Sequence, residues 1–291
     1  MRAAGIDLGG TKIEAQIFDD HWAVIATERV QTPKTYQALI AAIVDLVRAC
    51  GDLPVGISAA GLIHPQTGIA LTANLPASGQ PFPADVAAVA HRPVTWVNDA
   101  RALILSEAIF GVAEAQSRVA GLILGTGVGG GVAVDGRLVL GPTGTAGEFG
   151  HSALPASLVV KYGLPVVACP CGRVGCVETL LSGPGMVRLA QALGEPGATP
   201  KEIAAAKGRT WQVWCEVLAE LLMSVILIAD PQVVVIAGGL SNIPHLVPDV
   251  SAALARAQFA GYPLPDIRIA RGGDTAGALG AAYAAWRQAQ T

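Results

Sequence analysis

One imidazole and three thiols stand out first: His151, Cys169, Cys171 and Cys176. The cysteines form a CxC pair followed, after four more residues, by the third. Thiols this close together in a reducing compartment are poorly suited to disulfides. With His151 they make the four donors of a closed tetrahedral Zn²⁺ site. A closed site has no place for metal-bound water, so the metal is expected to be structural. It would steady the loop between Glu148 and Glu178, whose carboxylates suit the hydroxyls of a sugar ring. Cys50 and Cys215 stand alone and read as core filler.

A second chemistry lies in the glycines. Residues 4–19 read AGIDLGGTKIEAQIFD, and residues 120–135 read AGLILGTGVGGGVAVD. Ala, Gly, Leu, Gly and Asp recur at matched positions (Ala4/Ala120, Gly5/Gly121, Leu8/Leu124, Gly9/Gly125 and Asp19/Asp135). Each copy is an apolar strand, a Gly-Thr turn and a second apolar strand. Such turns leave backbone N–H groups open to phosphate oxygens. Two of them on duplicated halves suggest a cleft that grips a polyphosphate from both sides. Neither is a Walker A loop: the GxxxxGK[ST] spacing is missing and a strand follows. Asp7 of the first copy is replaced by Ile123 in the second, so one half alone supplies a carboxylate for Mg²⁺.

A third candidate is Asn98-Asp99, at the passage from strand to helix. Asx residues there can be simple N-caps. The functional reading makes Asp99 a general base that takes a proton from an attacking hydroxyl. The helix N-terminus would lower its pKa and keep it ionised at neutral pH.

Alternating strands and helices must position these groups. Apolar spacing predicts a helix over 36–50, a buried strand over 55–58, a short strand over 94–97 and a helix over 102–110. A long Gly/Pro/Asn/Ser-rich stretch over 59–83 suits a binding loop. Further on come a helix over 216–229, a strand over 233–237 and Gly238-Gly239 opening a new element. A glycine-rich run over 272–280 leads into a terminal helix over 281–290. The class is α/β, with the boundary between halves expected near 111–118. The first lobe is expected to span 1–115, rejoined by the C-terminal helix 281–291, and the second 116–280.

At 291 residues, 52% apolar and 14% charged, the chain can pack two full cores. A net charge of −3 offers no basic footprint for nucleic acid. Phosphate would be held by backbone and metal. The longest apolar run, 221–229, is short of a membrane span, and no signal-peptide pattern precedes the first turn. A cytoplasmic location is expected.

Taken together, GIDLGGTK, VNDA, GTGVGGG, GEFGH, CxCGxxGCxE and ADPQVVVIAGGLS resemble, in order and over essentially the whole chain, the ROK family of sugar kinases within the actin-like ATPase superfamily. The resemblance implies a duplicated ribonuclease-H-like fold of two lobes with ATP between them. It places Asp7, Gly9, Gly10, Thr11 and Lys12 on the first phosphate loop, and Thr126 and Gly127 on the second. Gly238 and Gly239 fall where the family holds adenosine. Asp99 falls on the catalytic base. Asn98, Asp99, Glu148, His151 and Glu178 fall on sugar ligands, with His151 also a zinc ligand. Within the family the chain is most similar to bacterial N-acetylglucosamine kinases. The segment 74–82, with Asn74, Ser78 and Gly79, resembles the lining of an N-acetyl pocket. One departure is NDAR, with Arg101 where the family commonly has Asn; this arginine either points to solvent or, as an altered charge next to the base, changes the substrate preference.

The resemblance implies ATP-dependent phosphorylation of the 6-hydroxyl of a free hexose, with N-acetyl-D-glucosamine favoured over N-acetylmannosamine and glucose. It also implies Mg²⁺, a homodimer and a small-molecule partner. The family's sugar-responsive repressors carry an N-terminal DNA-binding domain; with the phosphate hairpin starting at Gly5 and no basic helix-turn-helix segment in the sequence, a repressor is not expected. A non-catalytic sugar-binding protein would be favoured by loss of the base or of a phosphate loop, yet Asp7, Asp99 and both loops are intact.

Overall fold

The computed structural model describes residues 1–72 and 74–290, the side chain of Asp274 excepted. Contacts divide the chain into two compact units. The first comprises Met1–Glu114, Gly136–Ala146 and Arg271–Thr291, the second Ala115–Asp135 and Gly147–Ala270. The return to the first unit thus falls at 271, ten residues before the 281 expected, and the excursion 136–146 also belongs to the first unit.

The first unit opens with β1 (Ala3–Leu8), β2 (Lys12–Phe18) and β3 (Val24–Gln31), followed by α1 (Tyr36–Ala49) and β4 (Val55–Ala59). A small hairpin, β5 (Leu62–Ile63) and β6 (Ala70–Leu71), precedes α2 (Phe82–Ala90), β7 (Thr95–Asn98) and α3 (Asp99–Phe110). The sheet order is β3-β2-β1-β4-β7. β1 pairs antiparallel with β2 and parallel with β4, and β4 runs parallel to β7. The central strands are almost wholly buried and read as apolar runs, as a sheet covered on both faces requires. β3 lies at the edge, mostly exposed, and carries Thr, Glu, Arg and Gln that discourage further pairing. α1 lays Leu39, Ile43, Leu46 and Val47 on the core, a helical stripe.

The second unit repeats this plan with β8 (Arg118–Leu124) and β9 (Val128–Val134) as its hairpin. After the excursion that carries β10 (Arg137–Leu138) come α4 (Ala156–Tyr162), α5 (Glu178–Leu181), α6 (Gly183–Ala192), α7 (Pro200–Ala206) and α8 (Arg209–Ala229). Then follow β11 (Val233–Ala237), α9 (Leu246–Ala257) and β12 (Asp266–Ile269). β8 is antiparallel to β9 and parallel to β11, and β11 is parallel to β12. The two sequence copies therefore occupy equivalent places in two sheets. By length and composition α8 could cross a membrane. Yet 56% of its apolar window is buried within the protein, where Trp211, Trp214, Leu218 and Leu222 pack into the core.

Three helices begin earlier than the spacing predicts. α3 starts at Asp99 because Asn98 caps it, its side chain accepting from Arg101 N–H. α8 starts at Arg209, seven residues early, because Trp211, Val213 and Trp214 are buried despite weak helix propensity. The last helix, α10 (Ala276–Gln288), takes in Gly277 and Gly280. These glycines are helical because bare backbone is needed for close packing. A Cβ on Gly280 would lie 1.8 Å from Ala102 O. Across the same contact, Gly5 and Gly56 would each place a Cβ 1.9 Å from Ala278 O and Ala281 O. α10 therefore rests directly on β1, β4 and the first turn of α3.

Candidate active site

In the first unit the turn between β1 and β2 is tight: Gly9 N–H donates to Lys12 O at 3.0 Å. Two residues outside the glycine-rich segment hold it. Thr32, buried just after β3, donates its hydroxyl to Gly9 O at 2.6 Å, and its N–H donates to Thr11 O. Lys34 donates to Gly10 O at 3.3 Å and brings a cation to the turn. Only a β-strand neighbour could have signalled them, since nothing in their own segment is glycine-rich. Lys12 lies 3.5 Å from Glu14, which Arg29 also pairs. Asn74 comes against the same turn, its Cβ 3.0 Å from where a Cβ on Gly10 would sit. Ser78 accepts from Thr72 N–H and Gly79 donates to Ala70 O, closing the 70–80 loop on itself.

Asp7 is the penultimate residue of β1 and Asp99 begins α3. Burial raises the Asp7 pKa, the Ser58 hydroxyl opposes this, and the charge of nearby Asp99 raises it further. Asp99 accepts from Ala100 N–H at 2.9 Å and from the Asn98 amide at 3.1 Å. The expectation of a lowered Asp99 pKa is overturned. Loss of bulk water in its crowded surroundings raises the value, outweighing the Ala100 N–H and the Asn98 amide. The shift is upward in the carboxylate range, the direction that makes a better base. Asn98 also donates to Gly61 O at 3.0 Å.

Arg101 does not point to solvent. It is 5% exposed and lines a cavity of about 340 Å³ in the first unit, with Asn98, Trp96, Phe82, Leu62 and Thr72. Among the described residues, the buried indole Nε1 of Trp96, in the same wall, has no hydrogen-bond partner. Phe82, the last residue of the segment 74–82, thus shares a cavity with Asn98 and Arg101, which Asn74, Ser78 and Gly79 do not line.

In the second unit the turn after β8 places Thr126 in an open hollow with Gly125, Gly183, Pro200 and Gly239. A neighbouring cavity of about 490 Å³ shares Pro200, Gly239 and Leu240 and adds Ala204, Ile243 and His245. Gly238 takes φ +88°, and a Cβ there would strike Leu124 O at 2.5 Å, so glycine is required. Thr126 and Gly239 thus line one apolar-walled, backbone-rich recess, while Gly238 packs against Leu124 and Gly127 against Glu178.

Glu178, the first residue of α5, accepts from Val128 N–H at 2.8 Å and lies against Gly127, where a Cβ would be 2.8 Å from its Oε2. Glu148 leads into the 3₁₀ turn Phe149–His151. The donor atoms of His151, Cys169, Cys171 and Cys176 all lie within 4.8 Å of one another. Cys171 Sγ is 3.6 Å from Cys176 Sγ, and Cys169 Sγ is 3.7 Å from His151 Nδ1. Disulfides need about 2.05 Å. Tetrahedral Zn²⁺ with bonds of about 2.0–2.3 Å spaces its ligands roughly 3.4–3.8 Å apart, so the donor set fits zinc. Burial pushes the Cys176 thiol up to about 12, whereas the Arg173 N–H lowers Cys171. Glu178 Oε1 is 3.8 Å from Cys169 Sγ, so this carboxylate adjoins the cluster.

A two-unit fold with duplicated hairpins, glycine turns and a Cys₃His cluster defines a class, and comparison with known proteins agrees with it. The profile of the ROK family matches residues 3–288, and the chain belongs to the ROK family. An N-acetylgalactosamine kinase AgaK from Shewanella sp. (strain ANA-3) is 37% identical, over 96% of this chain and 94% of that protein. An N-acetyl-D-glucosamine kinase of Yersinia enterocolitica is 38% identical, over 96% and 97%. The crystal structure of a ROK hexokinase from Thermus thermophilus superposes with a TM-score of 0.85 at 30% identity, covering 100% of this chain and 99% of that one. The duplicated ribonuclease-H-like, actin-like ATPase fold expected from the sequence is borne out.

Proposed function

We propose that this protein is an ATP-dependent sugar kinase that phosphorylates the 6-hydroxyl of an N-acetylhexosamine, N-acetyl-D-glucosamine first. The observation that carries the reading is Asp99. It is a solvent-accessible carboxylate at the first turn of α3, held by Ala100 N–H and the Asn98 amide, with a pKa raised because the protein packed around it strips part of its hydration. It orients the sugar 6-hydroxyl and takes its proton as O6 bonds to the γ-phosphorus of ATP and the bond from that phosphorus to the β,γ-bridging oxygen breaks, releasing ADP. The turns at Gly9–Lys12 and Gly125–Gly127, with Lys34, bind phosphate oxygens through N–H groups and one cation. Asp7, a hard oxygen donor beside a second carboxylate, suits Mg²⁺, which when bound neutralises charge on the phosphates. The recess at Gly238 and Gly239 takes the adenosine.

Asn74, Ser78, Gly79, Asn98, Glu148, His151 and Glu178 are the proposed sugar ligands. With His151 Nδ1 turned to Cys169, Nε2 is left for a hydroxyl. Structural Zn²⁺ on His151, Cys169, Cys171 and Cys176 would fix this arm of the site. The names of the curated relatives support an acetamido sugar and leave two epimers at C4 as the main contenders. N-acetylgalactosamine is thus the second reading. A homodimer in the cytoplasm is the proposed working form. The test is ADP release with Mg-ATP across N-acetylglucosamine, N-acetylgalactosamine, N-acetylmannosamine and glucose. The highest kcat/KM is expected for N-acetylglucosamine. A preference for glucose would sink the acetamido reading, and no sugar-dependent turnover would sink the kinase.

A further inference from the structure

Glu107 is 1% exposed and lies two turns along α3 from Asp99. Among the described residues its carboxyl oxygens accept from backbone N–H groups. Oε2 accepts from Val112 N–H at 2.9 Å, and Oε1 accepts from Arg271 N–H at 2.8 Å and Gly272 N–H at 2.6 Å. Its backbone carbonyl accepts from Ala113 N–H. One buried carboxyl group thus joins two segments some 160 residues apart in sequence. One lies just before the chain leaves the first unit after Glu114. The other is where it returns at Arg271.

The surroundings are shaped for this group. A Cβ on Gly111 would lie 2.0 Å from Glu107 Oε2, and one on Gly272 would lie 3.1 Å from Oε1. Two glycines, one on each segment, therefore clear the space that the carboxyl group fills. Burying a carboxyl group is costly unless its oxygens are satisfied, and here three N–H donors do so.

The consequence reaches the reacting groups through rigid elements. α3 begins with Asp99. The segment held at 271–272 leads within four residues into α10, whose Gly277 lies against Asp7, where a Cβ would be 2.7 Å from Oδ1. α10 also touches β1 at Gly5 and α3 at Ala102 through bare backbone.

We propose that Glu107 is a positioning residue for phosphoryl transfer. By fastening the far end of α3 to the entry of α10, it fixes Asp99 relative to Asp7. This rests on the kinase reading above. Proton transfer and metal-assisted charge neutralisation depend on that separation only as the transition state forms, so the defect on loosening should appear in kcat and not in KM.

The test is Glu107→Gln. The amide keeps the size but presents an N–H to at least one N–H it formerly accepted from. Expected are a kcat about 10-fold or more below wild type, KM for sugar and Mg-ATP within about 3-fold, and cooperative unfolding. Amide exchange should accelerate at Val112, or at Arg271 and Gly272. Unchanged kcat with accelerated exchange would overturn the proposal, leaving a purely structural staple. A loss confined to KM would also overturn it. If the Gln variant does not fold, Gly272→Ala, whose Cβ would stand 3.1 Å from Glu107 Oε1 and 2.8 Å from Ala276 Cβ, is read for the same kcat-only defect. Wild-type turnover measured alongside keeps the two readings separable: its absence strikes the kinase assignment, while exchange at the three amides still judges the staple.

Discussion

Gly277→Ala sets two effects of opposite sign against each other. Gly277 is the second residue of α10, where alanine would add about 1 kcal/mol of helix stability. Its Cβ, however, would stand 2.7 Å from Asp7 Oδ1 and 3.0 Å from Ser58 Oγ. An ordinary contact is about 3.5 Å, so Asp7 must give by roughly 0.5–1 Å. It cannot swing freely, because it is buried with the Ser58 hydroxyl on it. A displacement of up to 1 Å near the chemistry costs up to about 100-fold. We therefore expect kcat to fall about 10- to 100-fold and the Mg²⁺ concentration for half-maximal rate to rise. The midpoint of thermal unfolding should change little, as strain and propensity offset each other. The assay is ADP release titrated with Mg²⁺ at saturating ATP and sugar, with calorimetric unfolding alongside. A variant with unchanged Mg²⁺ dependence and about 1 kcal/mol more stability would refute the link between α10 and Asp7.

Other outcomes are equally specific. Thr32→Val keeps shape but strands Gly9 O, which should cost about 1–3 kcal/mol and raise KM for ATP more than for sugar; equal KM values would contradict the turn clamp. Cys176→Ser should release zinc, measured by elemental analysis, and weaken sugar affinity through Glu178; retained zinc would refute the cluster. Asp99 must be ionised to act, and partial loss of hydration raises its pKa, so rate is lost as pH falls through that raised value. The acid limb of kcat/KM should lie above the ordinary 3.8, and a limb at or below it would contradict the desolvation argument.

Local signals in the sequence carried well into the structure. The two hairpins were legible because their turns and strands are contiguous, and the Cys₃His cluster because three of its ligands lie within eight residues. What escaped depends on distant packing. The early start of α10 was hidden because glycine lowers helix propensity, although here Gly277 and Gly280 serve contacts with β1 and α3. The charge of Arg101 leaves a solvent-facing and a site-facing position equally open, and only its place on α3 makes it a cavity wall. Asp99's helix-end position argued for a lowered pKa, and only the surrounding protein reveals the larger opposing effect of lost hydration. Thr32 and Lys34 reach the first turn from a neighbouring segment, and Glu107 joins segments that no sequence window contains.

The most direct test of the account is Asp99→Asn, assayed for both turnover and sugar binding. Asn keeps an oxygen for Ala100 N–H and the Asn98 amide, so the start of α3 should survive. The account predicts loss of N-acetylglucosamine phosphorylation by about 10²–10⁴-fold, with calorimetric sugar affinity within a few-fold of wild type. Turnover near wild type would contradict the assignment of Asp99 as the base, and loss of sugar binding with loss of the fold would reduce it to a helix cap.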